Sequence, residues 1–218
     1  PTASQTKLLM NFTNGDIIDL SGTYNLLPLA NAQSDTGVQK YSVPSVLFDG
    51  TGDGLTIVND YLGLGSNFTL ETWIYPTATG SDSVGDVIFM SRNGSDNGVW
   101  LSIDNSNHIN AKIKYASSSW TFQLDGTVAV SLNAWHHVVM IRNRGRVNVY
   151  VDGSLYSSGA DNTDITSYTQ YDIGHQNSGR EFNGNISDLR LTDGIPRYPF
   201  IPLRETLTTT TSFQTGIT

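Results

Sequence analysis

Apolar residues in this chain recur at every second position, in short runs closed by Gly, Asn, Asp or Pro. That is the period of a β-strand with one face on a core and the other in water. Residues 67–75, N-F-T-L-E-T-W-I-Y, place Phe68, Leu70, Thr72 and Ile74 on one face and Glu71, Trp73 and Tyr75 on the other, and Pro76 closes the run. A polar loop separates this run from 87–90. The runs V-W-L-S-I-D (99–104) and H-I-N-A-K-I-K-Y (108–115) then meet through Asn105-Ser106-Asn107. In the second of these, Ile109, Ala111, Ile113 and Tyr115 are predicted on the core face, with His108, Asn110, Lys112 and Lys114 in water. W-H-H-V-V-M-I-R (135–142) leads through Asn143-Arg144-Gly145 into R-V-N-V-Y-V-D-G. There Asp152-Gly153, between two alternating runs, is the strongest hairpin signal in the chain. No stretch longer than a turn or two has helical period, so the pattern predicts an all-β antiparallel sandwich.

One run raises a question. In G-N-I-S-D-L-R-L-T-D-G (184–194), alternation puts Ser187, Leu189 and Leu191 on one face and Ile186, Asp188 and Arg190 on the other. A carboxylate then shares a strand face with an isoleucine. Solvation, Arg190 or a bound cation could each hold its charge.

Composition narrows the setting. A chain of 218 residues can be one all-β domain. The expected layout is a sandwich over 1–205 and a Thr-rich tail over 206–218, where T-L-T-T-T-T-S-F-Q-T-G-I-T is low in complexity. The 20 acidic and 12 basic residues leave a net charge of −8 with no basic cluster, which disfavours nucleic acid. No apolar run approaches the roughly 20 residues of a membrane-spanning helix, and membrane insertion is not expected. The absence of cysteine suits maturation in a reducing cytosol. The Pro-Thr-Ala start reads as an end left by methionine removal, and no stretch with the basic start and apolar middle of a signal peptide is visible.

Several stretches, in order, resemble the concanavalin A-like (laminin-G-like, jelly-roll) superfamily. They are L-L-M-N-F-T-N-G-D-I-I-D-L-S-G at 8–22, V-L-F-D-G-T-G-D-G-L at 46–55, the runs at 68–76, 134–142 and 147–153, and I-G-H-Q-N-S-G-R-E-F-N-G-N-I-S-D-L-R-L-T-D-G-I-P-R-Y at 173–198. The resemblance implies a jelly-roll sandwich. The closing D-L-R-L-T-D-G-I-P-R-Y resembles versions of the domain in bacteriophage structural proteins. It implies a virion surface protein made in the host cytoplasm, a capsid decoration or a tail or fibre component. Its expected partners are other virion proteins, further copies of itself (a trimer is one such arrangement) and a cell-surface glycan. The alternative is a soluble carbohydrate-binding lectin module.

Candidate chemistry is sparse. Retaining glycanases need two carboxylates about 5 Å apart, on this fold usually two or four positions apart on one strand. Glu71, Glu181 and Glu205, the only glutamates, have no such neighbour, so no catalytic residue is expected. Glu71, beside Trp73, reads as a hydrogen-bonded structural group. His136 and His137 are adjacent, so a strand sends them to opposite faces. With His108 and His175 isolated and no cysteine present, zinc is not expected. The sequons at Asn11, Asn67, Asn93 and Asn185 read as incidental. Relatives of this fold often hold a structural calcium between the segment after the first strand and the last strand. By that resemblance Asp19, Gly22 and Asp188 are the expected ligands, against a salt bridge or solvation at Asp188. For glycan binding, a meander brings loop 78–86 and turn 104–107 to one end of a sheet. Asp82, Asp86, Asp104 and Asn105 would form a polar rim there, and Trp120 or Tyr171 would stack on a sugar ring.

Overall fold

The alternating runs become strands wherever a turn residue lets the chain reverse. A computed structural model describes residues 5–12, 16–58, 64–92, 98–115, 120–163, 165, 168–176 and 179–194. The described strands open with β1 (Thr6–Met10), β2 (Leu27–Leu29), β3 (Gln33–Lys40), β4 (Val43–Asp49) and β5 (Gly54–Val58). Then come β6 (Phe68–Pro76), β7 (Asp86–Arg92), β8 (Gly98–Ile103), β9 (Ile109–Lys114) and β10 (Phe122–Leu124). The last five are β11 (His136–Asn143), β12 (Arg146–Val151), β13 (Ser154–Ala160), β14 (Gln170–Ile173) and β15 (Asn183–Asp193). No α-helix occurs among the described residues.

The strands make two antiparallel sheets packed as a jelly-roll sandwich. One runs β13-β12-β11-β6-β15-β4-β3, with β1 also pairing β15; the other runs β10-β9-β8-β7-β14-β5-β2. Leu70, Ile74, Val138 and Met140 from the first sheet join Leu55, Ile57, Phe89 and Ile173 from the second in a single core. Each such side chain contributes about 1.5–3 kcal/mol when fully buried. Two hairpins are type I′ turns that fit the strand twist: Arg144-Gly145 (φ 49° and 72°) and Asp152-Gly153 (φ 49° and 82°).

Two face assignments change. Tyr115 is exposed, whereas Asn110 and Lys112 are buried, not in water. The 80–85 segment and Trp120 cover that part of the seven-stranded sheet. Lys112 Nζ donates to Ser83 O at 3.1 Å and lies 3.3 Å from Asp125 Oδ1. In β15, a bulge between Ser187 and Arg190 inserts one residue against β6, and Asp188 takes φ 54°. Ile186, Leu189 and Leu191 all join the core, while Arg190 points to the other side, where it pairs with Glu71. Simple alternation therefore fails at Asp188, which does not share a face with Ile186.

Candidate functional site

The segment after β10 crosses from the seven-stranded to the eight-stranded sheet and borders a cleft of about 430 Å³. That is within the size range of small-molecule sites. Gly126 lets the crossing segment lie close, because a Cβ there would overlap the Tyr156 ring. The Tyr156 hydroxyl donates to Val128 O and accepts the Ile109 N–H at 3.3 Å, which ties both sheets to the cleft wall. Val128 and Leu155 are 63% and 58% exposed and flank the opening.

A hydrogen-bonded chain forms the polar side. The I′ turn aims the Asp152 carboxylate back along β11. Its Oδ1 accepts the His137 N–H at 2.8 Å, and its Oδ2 lies 2.8 Å from His136 Nδ1. His136 Nε2 lies 2.9 Å from Ser131 Oγ and 3.1 Å from Ser131 O. The hydrogen bond to Asp152 raises the His136 pKa against the opposing effect of burial. Burial pushes the Asp152 carboxyl up, but hydrogen bonds from His136 and the His137 amide outweigh it and hold the group below its usual range. A carbonyl oxygen can only accept, so the contact with Ser131 O is a hydrogen bond only when Nε2 carries a proton, whereas the contact with the Ser131 hydroxyl can run in either direction. The Asp–His–Ser chain is a clasp between the crossing segment and the β12–β13 turn.

The expected polar rim does assemble. Gly80 N donates to Asp104 O at 3.1 Å and Asn105 N to Asp82 O at 3.0 Å, so loop 78–86 meets turn 104–107. Its carboxylates, however, are already engaged, by their own loops, by Arg180 and by Asn110. Asp82 is held by Arg180 at 2.6 and 2.7 Å and by the Val84 and Gly85 amides. That Arg180 pairing, ahead of the opposing burial, lowers its pKa to about 2. Asp104 accepts from the Ser106 and His108 amides and from Asn110 Nδ2. Asp86 accepts from Ser81, and burial raises its pKa. Asn105 is exposed. Trp120 is half-buried, edge-on to Trp100 at 5.2 Å. Tyr171 cannot stack on a sugar: it is fully buried against Phe89, with its hydroxyl on Tyr168 O at 2.9 Å.

The expected calcium ligands are also occupied. Asp19 Oδ1 accepts the Leu9 and Ser21 amides at 3.0 and 2.9 Å. Its Oδ2 accepts Ser21 Oγ, Thr23 N and Tyr24 N at 2.6, 3.3 and 3.1 Å. Five donors point their positive ends where a cation would sit. Gly22 turns with φ 76° in the exposed loop. Asp188 is buried near Tyr41, whose hydroxyl pKa rises first through burial and then through the Asp188 charge. No group of three or more His, Cys, Asp or Glu gathers among the described residues. As placed, these residues do not fit a calcium ion.

The centre of the outer face of the eight-stranded sheet is covered. Glu71 and Arg190, both fully buried, pair at 2.7 and 2.9 Å, beside Trp73 and His137. The β3–β4 tip crosses above them. Lys40 Nζ sits 3.5 Å over the Trp73 ring, Tyr41 meets that ring edge-on at 5.8 Å, and Gln39 O accepts from Trp135 Nε1 at 3.1 Å. Asn185 is buried and donates to Asp35 and Ser45. Asn93, Glu205 and the 206–218 tail lie outside the described residues.

Sequence reasoning weighed His136 only as a metal ligand, set it aside, and overlooked Val128, Ser131 and Leu155. The Asp152-Gly153 turn, which aims the carboxylate at the start of β11, was the available signal.

Comparison with known proteins agrees with this architecture. Domain 4 of an extracellular GH43 arabinanase from Geobacillus stearothermophilus, solved with arabinotriose, is 19% identical with a TM-score of 0.68, covering 87% of this chain and 93% of that one. The binding domain of botulinum neurotoxin DC, solved in complex with SialylT, is 14% identical with a TM-score of 0.64, covering 95% and 49%. The botulinum neurotoxin type G receptor-binding domain is 17% identical with a TM-score of 0.65, covering 94% and 49%. The chain thus spans about half of each neurotoxin domain. No curated protein sequence matches it. Residues 49–195, which include β5 to β15 and the whole cleft, match the profile of the concanavalin A-like lectin/glucanases superfamily, and the chain belongs to that superfamily.

Proposed function

We propose that this domain is a non-enzymatic glycan-binding module and that the cleft beside His136 and Asp152 is its site. The observation behind this reading is the cleft itself: exposed aliphatic walls facing a pre-ordered polar clasp, on a lectin-type sandwich. The arabinanase domain solved with arabinotriose supports it by analogy of fold. Two features favour binding over hydrolysis. Glu71 is engaged by Arg190 away from solvent, and β6 carries no second carboxylate beside it. A glycan array with the purified chain tests the reading. Retention of a defined subset of glycans, without release of reducing ends from laminarin or agar, supports it; an array with no retained glycan overturns it.

The finer placement is on a bacteriophage particle, as a capsid decoration or a tail or fibre component in symmetric copies. It rests on the likeness of residues 188–198 to phage structural proteins. Mass spectrometry of purified particles separates it from a free lectin, which would be absent from them.

A further inference from the structure

We infer that the cleft takes a neutral sugar bearing a methyl group, either a 6-deoxy or an N-acetyl sugar, with that methyl seated between Val128 and Leu155. The inference rests on the cleft being the glycan site. A bare pyranose face is flat and pairs with an exposed aromatic ring. No such ring is available here: Tyr156 is partly buried with its hydroxyl held on both sides, and His136 is fixed between Asp152 and Ser131. Val128 and Leu155 instead present branched aliphatic ends, 63% and 58% exposed, whose shape suits a compact apolar group. Leaving both in water is unfavourable, and a methyl seated between them relieves it.

Charge narrows the class further. No Lys or Arg lines the cleft, and the one side chain there able to carry a positive charge, His136, is already hydrogen-bonded to Asp152. Asp152 keeps about half of its side-chain surface exposed and has acceptor capacity beyond its two bonds, so it can receive a sugar hydroxyl. A sugar carboxylate would meet that charge with no free cation to offset it. Uronic and sialic acids are therefore disfavoured.

Titration by calorimetry with matched pairs tests this. L-Fucose against L-galactose isolates the 6-deoxy methyl, and N-acetylglucosamine against N-formylglucosamine isolates the acetamido methyl. We expect the methyl-bearing member of one pair to bind roughly 10-fold tighter, the usual worth of one such group in an apolar pocket. Which pair shows the gap identifies the source of the methyl. Val128→Ser and Leu155→Ser should erase that gap while leaving the melting temperature in place. Equal affinities within both pairs, with binding still lost in a His136→Ala variant, sink the inference and leave the cleft reading standing. Tighter binding of sialic or uronic acids also sinks it. Binding untouched by all three variants, or no binding by any sugar, removes both.

Discussion

His136 and His137 leave consecutive positions of β11 on opposite sides of the eight-stranded sheet. His136 faces an open cleft, and its hydrogen bond to Asp152 raises its pKa. His137 is buried against Trp73, and burial lowers its pKa to about 4 despite the nearby charges of Glu71 and Asp152. The same side chain thus marks two surfaces. The outer face is dry, sealed by a hairpin tip and fastened by an internal ion pair. The cleft is open, with apolar walls and a clasp that solvent reaches. The sealed side stabilises; the open side is where we propose that ligand binds.

The comparison can be broken most strongly on the sealed face. Arg190→Met strands the Glu71 carboxylate in a buried setting and should lower stability in urea unfolding by about 3–5 kcal/mol. Adding Glu71→Gln should restore much of it. Neither change should alter glycan binding. If Arg190→Met costs no more than a surface substitution, the sealed-face description is wrong.

The next effect is a pH dependence of opposite sign at the two histidines. Unfolded His137 binds a proton near pH 6.5, whereas the folded group does so only at about 4. Stability should therefore fall as pH drops through that window, by about 3 kcal/mol from this residue. His137→Gln should flatten the slope. For His136 the folded pKa is raised, so its contribution is fully present below the unfolded value and is lost as pH rises through the folded one. Being partly exposed, that pair should give no more than about 1 kcal/mol. Asp152→Asn should remove it, and pH-resolved melting curves of the two variants check both signs.

Smaller still, Leu155→Ser should stay within about 0.5 kcal/mol of the parent in stability, since it is exposed, while weakening glycan retention. The smallest expected effect is none: EDTA and millimolar calcium should leave the melting temperature unchanged, because Asp19 already accepts five donors. A calcium-dependent rise that Asp188→Asn abolishes would reinstate the expected clasp.

Much of the fold was legible because strand period and turn chemistry are local. The 68–76 run, the Asp152-Gly153 hairpin and the meeting of loop 78–86 with turn 104–107 all follow from alternation and connectivity. What escaped depends on long-range cover. Lys112 alternates like a solvent-facing residue, yet Ser83, 29 residues away, and Trp120 on the following segment cover it. The bulge at Asp188 adds one residue against β6, and alternation alone does not reveal it. The turn at Tyr41-Ser42 has positive φ at both positions without a glycine, which costs roughly 1–2 kcal/mol per residue; its contacts with Trp73 hold it in place. At the cleft, the Asp152 signal was visible, but Val128 and Leu155 come to line one cleft only after the sheets close.

The most direct test of where ligand binds is an amide-resolved NMR titration with a glycan retained on the array. We expect shifts to gather at residues 128–131, 136–137 and 151–156 and to leave Glu71, Trp73 and Arg190 unmoved. Shifts centred on loop 78–86 and turn 104–107, or on the Trp73 face, with the cleft silent would contradict the assignment.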